Sequence, residues 1–70
     1  MTFLLGDLLF LKDDTVATYY ERETSGAIIW SGCIVVVLGK RVITNDILVL
    51  CNNKLLLVPF VRLRQVCKKL

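Results

Sequence analysis

Three cysteines, two adjacent aspartates and a set of basic residues are the side chains of this 70-residue sequence best suited to chemistry. Cys33, Cys51 and Cys67 show no CxxC spacing, and the chain has no histidine. Structural zinc takes four thiolate or imidazole ligands, typically at short spacings, so no metal site is expected. A disulfide framework needs an even count in a secreted context. The expectation is therefore three reduced, largely shielded thiols, with cysteine acting as a small core hydrophobe. Asp13 and Asp14 could divide acid and base roles. Neighbours on an extended chain point to opposite sides, however, and a solvated turn suits the pair better. There is no imidazole base, no GxSxG turn and no glycine-rich phosphate loop. The reading is a protein that is not an enzyme and needs no cofactor.

Charge is distributed unevenly. Residues 1–31 carry two basic and five acidic side chains, a sum of −3, whereas residues 32–70 carry seven basic and one acidic, a sum of +6. Lys40, Arg41, Arg62 and Arg64, followed by Lys68 and Lys69, could neutralise phosphates and make a nucleic-acid surface. The competing reading is ordinary solvation plus protection of an outer strand against sheet-to-sheet pairing. No base-stacking aromatics interleave with these charges, so nucleic acid is the second reading rather than the first. Tyr19, Tyr20 and Trp30 could form a contact platform, although aromatic residues of this kind more often pack with only a polar tip exposed.

These side chains have to be positioned by a very apolar chain. It is 56% hydrophobic, against roughly 45–50% for an ordinary domain, and 70 residues make one small domain spanning residues 1–70. A chain of this size buries only about 60% of its unfolded surface. The longest uncharged run, residues 24–39, has 16 residues with two serines, a threonine and three glycines. That is short of the ~20 apolar residues that cross a bilayer, so no membrane partner is expected. The N-terminus lacks a basic region and Asp7 interrupts its apolar run, which does not read as a signal peptide. A cytoplasmic or virion location is expected.

The pattern is one of strands and turns. Gly6-Asp7 reads as a bend before a strand over residues 7–12. Residues 13–26 read as a long polar loop. Short strands are expected at 27–30 and 33–38, the latter stopped by Gly39-Lys40-Arg41, with Val42-Ile43 as an optional extension. Asn45-Asp46 reads as a turn, and 47–51 as the next strand. Asn52-Asn53 signals a tight hairpin because asparagine tolerates positive φ. Residues 55–58 return. Pro59 ends that strand, since it has no N–H for a ladder. Phe60-Val61 is expected to make one turn of 3₁₀ helix, and 62–67 a last alternating strand.

Gly6-Asp7, the Asn52-Asn53 hairpin and Val58-Pro59-Phe60 together resemble an SH3-like barrel over nearly the whole chain. The resemblance implies an all-β, five-stranded SH3-like barrel with a long first loop and a 3₁₀ turn before the last strand. It also implies that Tyr19, Tyr20 and Phe60 stand where peptide-binding members place ligand-contacting aromatics. The tyrosine and tryptophan expected at two further positions of the peptide-binding pattern are missing. In length and style the chain is similar to short phage proteins.

Strand faces carry the functional expectation. Residues 33–38 are apolar on both sides: Cys33, Val35 and Val37 on one, Ile34, Val36 and Leu38 on the other. Residues 47–51 and 55–60 repeat this. Antiparallel strands at a monomer surface normally alternate apolar with polar, so an uncovered apolar face marks an interaction surface. The expectation is an assembly protein, such as a phage virion or tail component, that binds a protein partner or itself. Its contacts would be Val35, Val37, Val49, Leu57, Tyr19, Tyr20 and Phe60, unless Phe3, Leu4 and Leu5 fold over that face.

Overall fold

Short runs rich in Val, Ile and Leu favour strands with one face in and one face out. The computed structural model, which describes residues 2–70, arranges seven of them in one antiparallel sheet. They are β1 (Leu8–Leu11), β2 (Thr15–Tyr19), β3 (Gly26–Ile29), β4 (Ile34–Arg41), β5 (Asp46–Cys51), β6 (Lys54–Pro59) and β7 (Cys67–Lys69), with one helix, α1 (Phe60–Val66), before the last. Their spatial order is β3-β2-β6-β5-β4-β1-β7. The sheet curls into an antiparallel half-barrel, so the fold is all-β with seven strands rather than the expected five.

One additional strand, β2, arises at a place read as a loop, and the last strand, β7, begins only where the expected one ends. The expected long loop contains β2, whose Thr15 and Ala17 turn inward while Val16 turns out. Only residues 20–25 connect β2 to β3, closed by Tyr19 N–H to Ser25 C=O (3.1 Å) and Ser25 N–H to Arg22 C=O (2.8 Å). The expected last strand over 62–67 is mostly helix. Phe60, Leu63 and Val66 recur at helical spacing, and Leu63 and Val66 are fully buried; in so short a run, alternation and helical period are hard to separate. Pro59 ends β6 and precedes the helix with φ −55°, ψ 135°. The expected single 3₁₀ turn is thus a seven-residue α-helix. Gly39 does not stop β4: the register shifts between Val37 and Gly39 and the strand continues to Arg41, a bulge of the kind a glycine permits. Val42 and Ile43 fall in the following turn, where Asn45 has φ 56°. Asn52 and Asn53, at φ 50° and 64°, form the expected two-residue hairpin.

The concave side holds the core. Leu9 opposes Val35, Val37 opposes Val49, Val49 opposes Leu56, and Ile47 opposes Val58 across successive strands. Leu63 of α1 joins this cluster, so the helix plugs the open side of the half-barrel. Each fully buried aliphatic side chain here contributes about 1.5–3 kcal/mol. β7 then pairs with β1, Leu11 opposite Cys67, and closes one edge.

Candidate functional site: the outer face and its cleft

The strand phase that fills the core fixes what lies outside. Val35, Val37 and Val49 are 0–1% exposed and belong to the interior. As contact residues for a partner they are corrected: no partner can reach them while the barrel is folded. The outer set is the opposite one. Leu8 opposes Val36, Phe10 opposes Ile34, Val36 opposes Leu50, Leu48 opposes Leu57, and Val16 opposes Ile28. Leu8, Ile34, Val16, Ile28 and Trp30 are exposed, and Phe10, Val36, Leu48, Leu50 and Leu55 are half-buried. Phe3, Leu4 and Leu5 do not cover this face. Phe3 packs edge-to-face on Phe60, with ring centres 5.6 Å apart, while Leu4 and Leu5 face solvent.

At the β2–β3 end this face opens into a cleft of about 620 Å³. Val16, Ile28 and Trp30 line it on one side, and Leu57 and Pro59 on the other. Leu57, the one expected contact residue with outer phase, is buried against this lining. Trp30 is 60% exposed, which corrects the expectation that it packs with only a polar tip exposed.

Charged side chains frame the cleft. Arg41 holds Glu23 (Nη1 to Oε1, 2.6 Å) and Asp46 (Nη2 to Oδ2, 3.1 Å), and its Nε donates to Thr44 Oγ1 at 2.8 Å. The bond to Glu23 raises the Arg41 pKa above its ordinary value, with Asp46 adding to the effect. This strap ties the β2–β3 turn to the β4–β5 hairpin. Asp14 performs a similar service elsewhere on the rim. Its carboxylate accepts from Ser31 N–H (2.7 Å), and its carbonyl accepts from Arg62 Nη2 (2.9 Å). Asp13 remains in a solvated turn, but Asp14 links the β1–β2 turn, the β3–β4 turn and α1.

The remaining expected residues are dispersed. Tyr19 and Tyr20 line different small hollows, Tyr19 with Lys54 6.0 Å over its ring and Tyr20 beside Leu48 and Gly39. Phe60 lines neither hollow. Lys40 Nζ lies 5.4 Å and Arg64 Cζ 5.7 Å from its ring centre. Of the four expected basic contacts, Arg41 and Arg62 are thus held at the cleft, and Lys40 and Arg64 meet at Phe60. Sequence reasoning missed Val16, Ile28 and Glu23. The out-of-phase position of Val16 between Thr15 and Ala17 was a usable signal, had residues 15–19 been read as a strand.

Other chemistry is sparse among the described residues: no group of three or more Cys, Asp or Glu is placed to hold a metal ion. No helix among them is long and apolar enough to cross a membrane. Cys51 and Cys67 are buried and Cys33 is half-buried. Burial pushes the Cys51 and Cys67 thiols above their ordinary pKa. Away from the cleft, the Asp7 carboxylate accepts from Leu4 N–H (2.8 Å) and pairs with Lys69 (3.1 Å), which hold it below its ordinary value. No family model, curated protein or solved structure matches this chain.

Proposed function

We propose that this protein is a non-enzymatic interaction module that docks an apolar protein surface, a second copy of itself included, over the outer face of its sheet at the Trp30 cleft. One observation carries the reading. Val16, Ile28 and Trp30 are 67%, 51% and 60% exposed side by side, and they line a cleft together with Leu57 and Pro59. Contiguous exposed apolar groups of this kind are rare on a monomer surface and favour burial against a partner. Tryptophan is also among the residues most enriched at the energetic centres of interfaces. The flanking charges are already satisfied by one another, so docking need not strand an unpaired Arg41 or Glu23. The finer resemblance to SH3-like barrels belongs to this reading. It rests on the coiled antiparallel sheet and the Val58-Pro59-Phe60 passage into a helical turn before a short last strand.

Light scattering of wild type and Ile28→Asp at micromolar concentration, each checked by circular dichroism, tests the proposal. Wild type is expected to associate or to need a partner for solubility, with Ile28→Asp folded and dispersed. A soluble, monodisperse wild-type monomer would count against it.

A second reading has its own observation. Lys40 and Arg64 both approach the Phe60 ring, and neither forms an ion pair among the described residues. Two cations beside an aromatic ring suit a nucleic-acid strand. Retention on single-stranded DNA with a log–log salt slope of about −1.4, the value for two phosphate contacts, and its loss in Lys40→Ala/Arg64→Ala, would favour this reading. Absence of retention at low salt would remove it.

A further inference from the structure

Cys33, just ahead of β4, and Cys51, at the end of β5, both lie against the core. β4 and β5 pair with Val37 opposite Val49 and Val36 opposite Leu50. One further step of that register sets Cys51 beside Val35 and one diagonal from Cys33. Cys51 belongs to the buried cluster and Cys33 packs against it. Burial raises the Cys51 pKa, and the neighbouring Cys33 thiol adds to that effect. Their accessibility differs: Cys51 is 6% exposed, whereas Cys33 is half-buried and closes the turn whose Cys33 N–H donates to Trp30 C=O at 3.2 Å.

We propose that Cys33 and Cys51 form a redox pair that closes into an intramolecular disulfide on meeting a low-molecular-weight disulfide such as oxidised glutathione. Cys33 is the entry point because it is the thiol nearest solvent. Its thiolate, having given its proton to water, attacks one glutathione sulfur. The glutathione S–S bond breaks, and one glutathione leaves as a thiolate that takes up a proton. Cys51 then gives up its proton and attacks the Cys33 sulfur of the mixed disulfide. That bond breaks and the second glutathione thiolate leaves and is protonated. Two cysteine thiols are oxidised and one disulfide is reduced to two thiols, so electrons and protons balance. Exchange of this kind runs through a mixed disulfide and depends on access to the attacking thiol.

Geometry sets the cost of closure. Diagonal neighbours have Cα atoms about 7–8 Å apart, with Cβ atoms closer, beyond the usual disulfide range of about 4.4–6.8 Å. A shift is therefore needed, and Cys33 precedes the regular part of β4, beside Gly32 at φ 90°. The movement is expected to fall on that turn, which Gly32 N–H to Leu11 C=O (2.7 Å) and Leu11 N–H to Cys33 C=O (2.9 Å) tie to β1, rather than on the β4–β5 ladder. Cys67 lies on β7 opposite Leu11 and takes no part. The pair does not depend on what the cleft binds.

Folded wild type is incubated with oxidised glutathione, its remaining thiols are alkylated after unfolding, and a tryptic map is run without reduction. Wild type is expected to lose the mass of two hydrogen atoms and to yield residues 23–40 joined to residues 42–54, with Cys67 alkylated. Cys51→Ser is expected to stop at a glutathione adduct on Cys33, and Cys67→Ser to behave as wild type. If Cys51→Ser does not fold, Cys51→Ala takes its place, and the wild-type map decides on its own. A bridge that includes Cys67, a persistent glutathione adduct on wild-type Cys33, or no change in mass would overturn the proposal.

Discussion

The concave and convex faces of this sheet are built from nearly the same residues and meet opposite fates. On β5, Ile47, Val49 and Cys51 point inward and Leu48 and Leu50 point outward. On β4, Val35 and Val37 are sealed while Ile34 is 54% exposed. Apolarity alone did not decide which set would be core. The decision came from α1, which supplies Leu63 to the concave side, and from the curl that brings β2, β5, β6 and β7 against it. Among the described residues no second layer covers the convex side. Among the described residues the single helix covers only one of the two apolar faces, and the other stays open to solvent.

Breaking the buried face should have the largest effect. Val49→Asp places a carboxylate in a fully buried aliphatic site. The expected cost exceeds about 4 kcal/mol, comparable with the whole stability of a small domain at about 5–15 kcal/mol. Circular dichroism should show loss of the fold. Leu63→Ala removes the plug residue and should cost about 2–5 kcal/mol, seen as a lower urea midpoint with the slope retained. A negligible effect would mean that α1 does not close the core.

An electrostatic change should be smaller and pH-dependent. Asp7 is held below its ordinary pKa of 3.8 by Leu4 N–H and Lys69. A carboxylate with a lowered folded pKa adds stability that is full above the ordinary value and is lost as pH falls through the folded one. Thermal melts through the acid range should therefore show wild type losing more stability on acidification than Asp7→Asn. Parallel curves for the two proteins would contradict this. The smallest stability change is expected on the convex face. Ile28→Asp should stay within about ±0.5 kcal/mol of wild type, as exposed substitutions usually do, so any change in association cannot be put down to unfolding.

Much of the fold could be read from the residues. The Asn52-Asn53 hairpin was legible because positive φ at two successive positions leaves few alternatives to asparagine or glycine. Pro59 marked the end of β6 because it cannot donate to a ladder. Gly39 was read as a stop and is a bulge, since a glycine permits either. Phe60, Leu63 and Val66 were hidden as a helix because a seven-residue run fits both periods. The two-faced apolarity of β4, β5 and β6 was visible, but not which face is inside. That depends on α1 and on β2, both of which the sequence presented as something else. The cleft was not legible at all, because it joins Glu23, Arg41 and Trp30 from three separate turns and strand ends.

The most direct test uses the single tryptophan as its own reporter. Trp30 stands at the mouth of the cleft and is largely in water in the isolated chain. Its emission should be recorded through a concentration series from nanomolar to high micromolar, in wild type and in Val16→Asp. If the convex face docks an apolar surface, of a second copy or of an added partner, wild-type emission moves to shorter wavelength as the complex forms. Val16→Asp keeps the water-exposed spectrum throughout, with an unchanged far-ultraviolet spectrum. A wild-type Trp30 that stays in water across the whole series, in a protein that remains soluble and monomeric without a partner, would contradict the account.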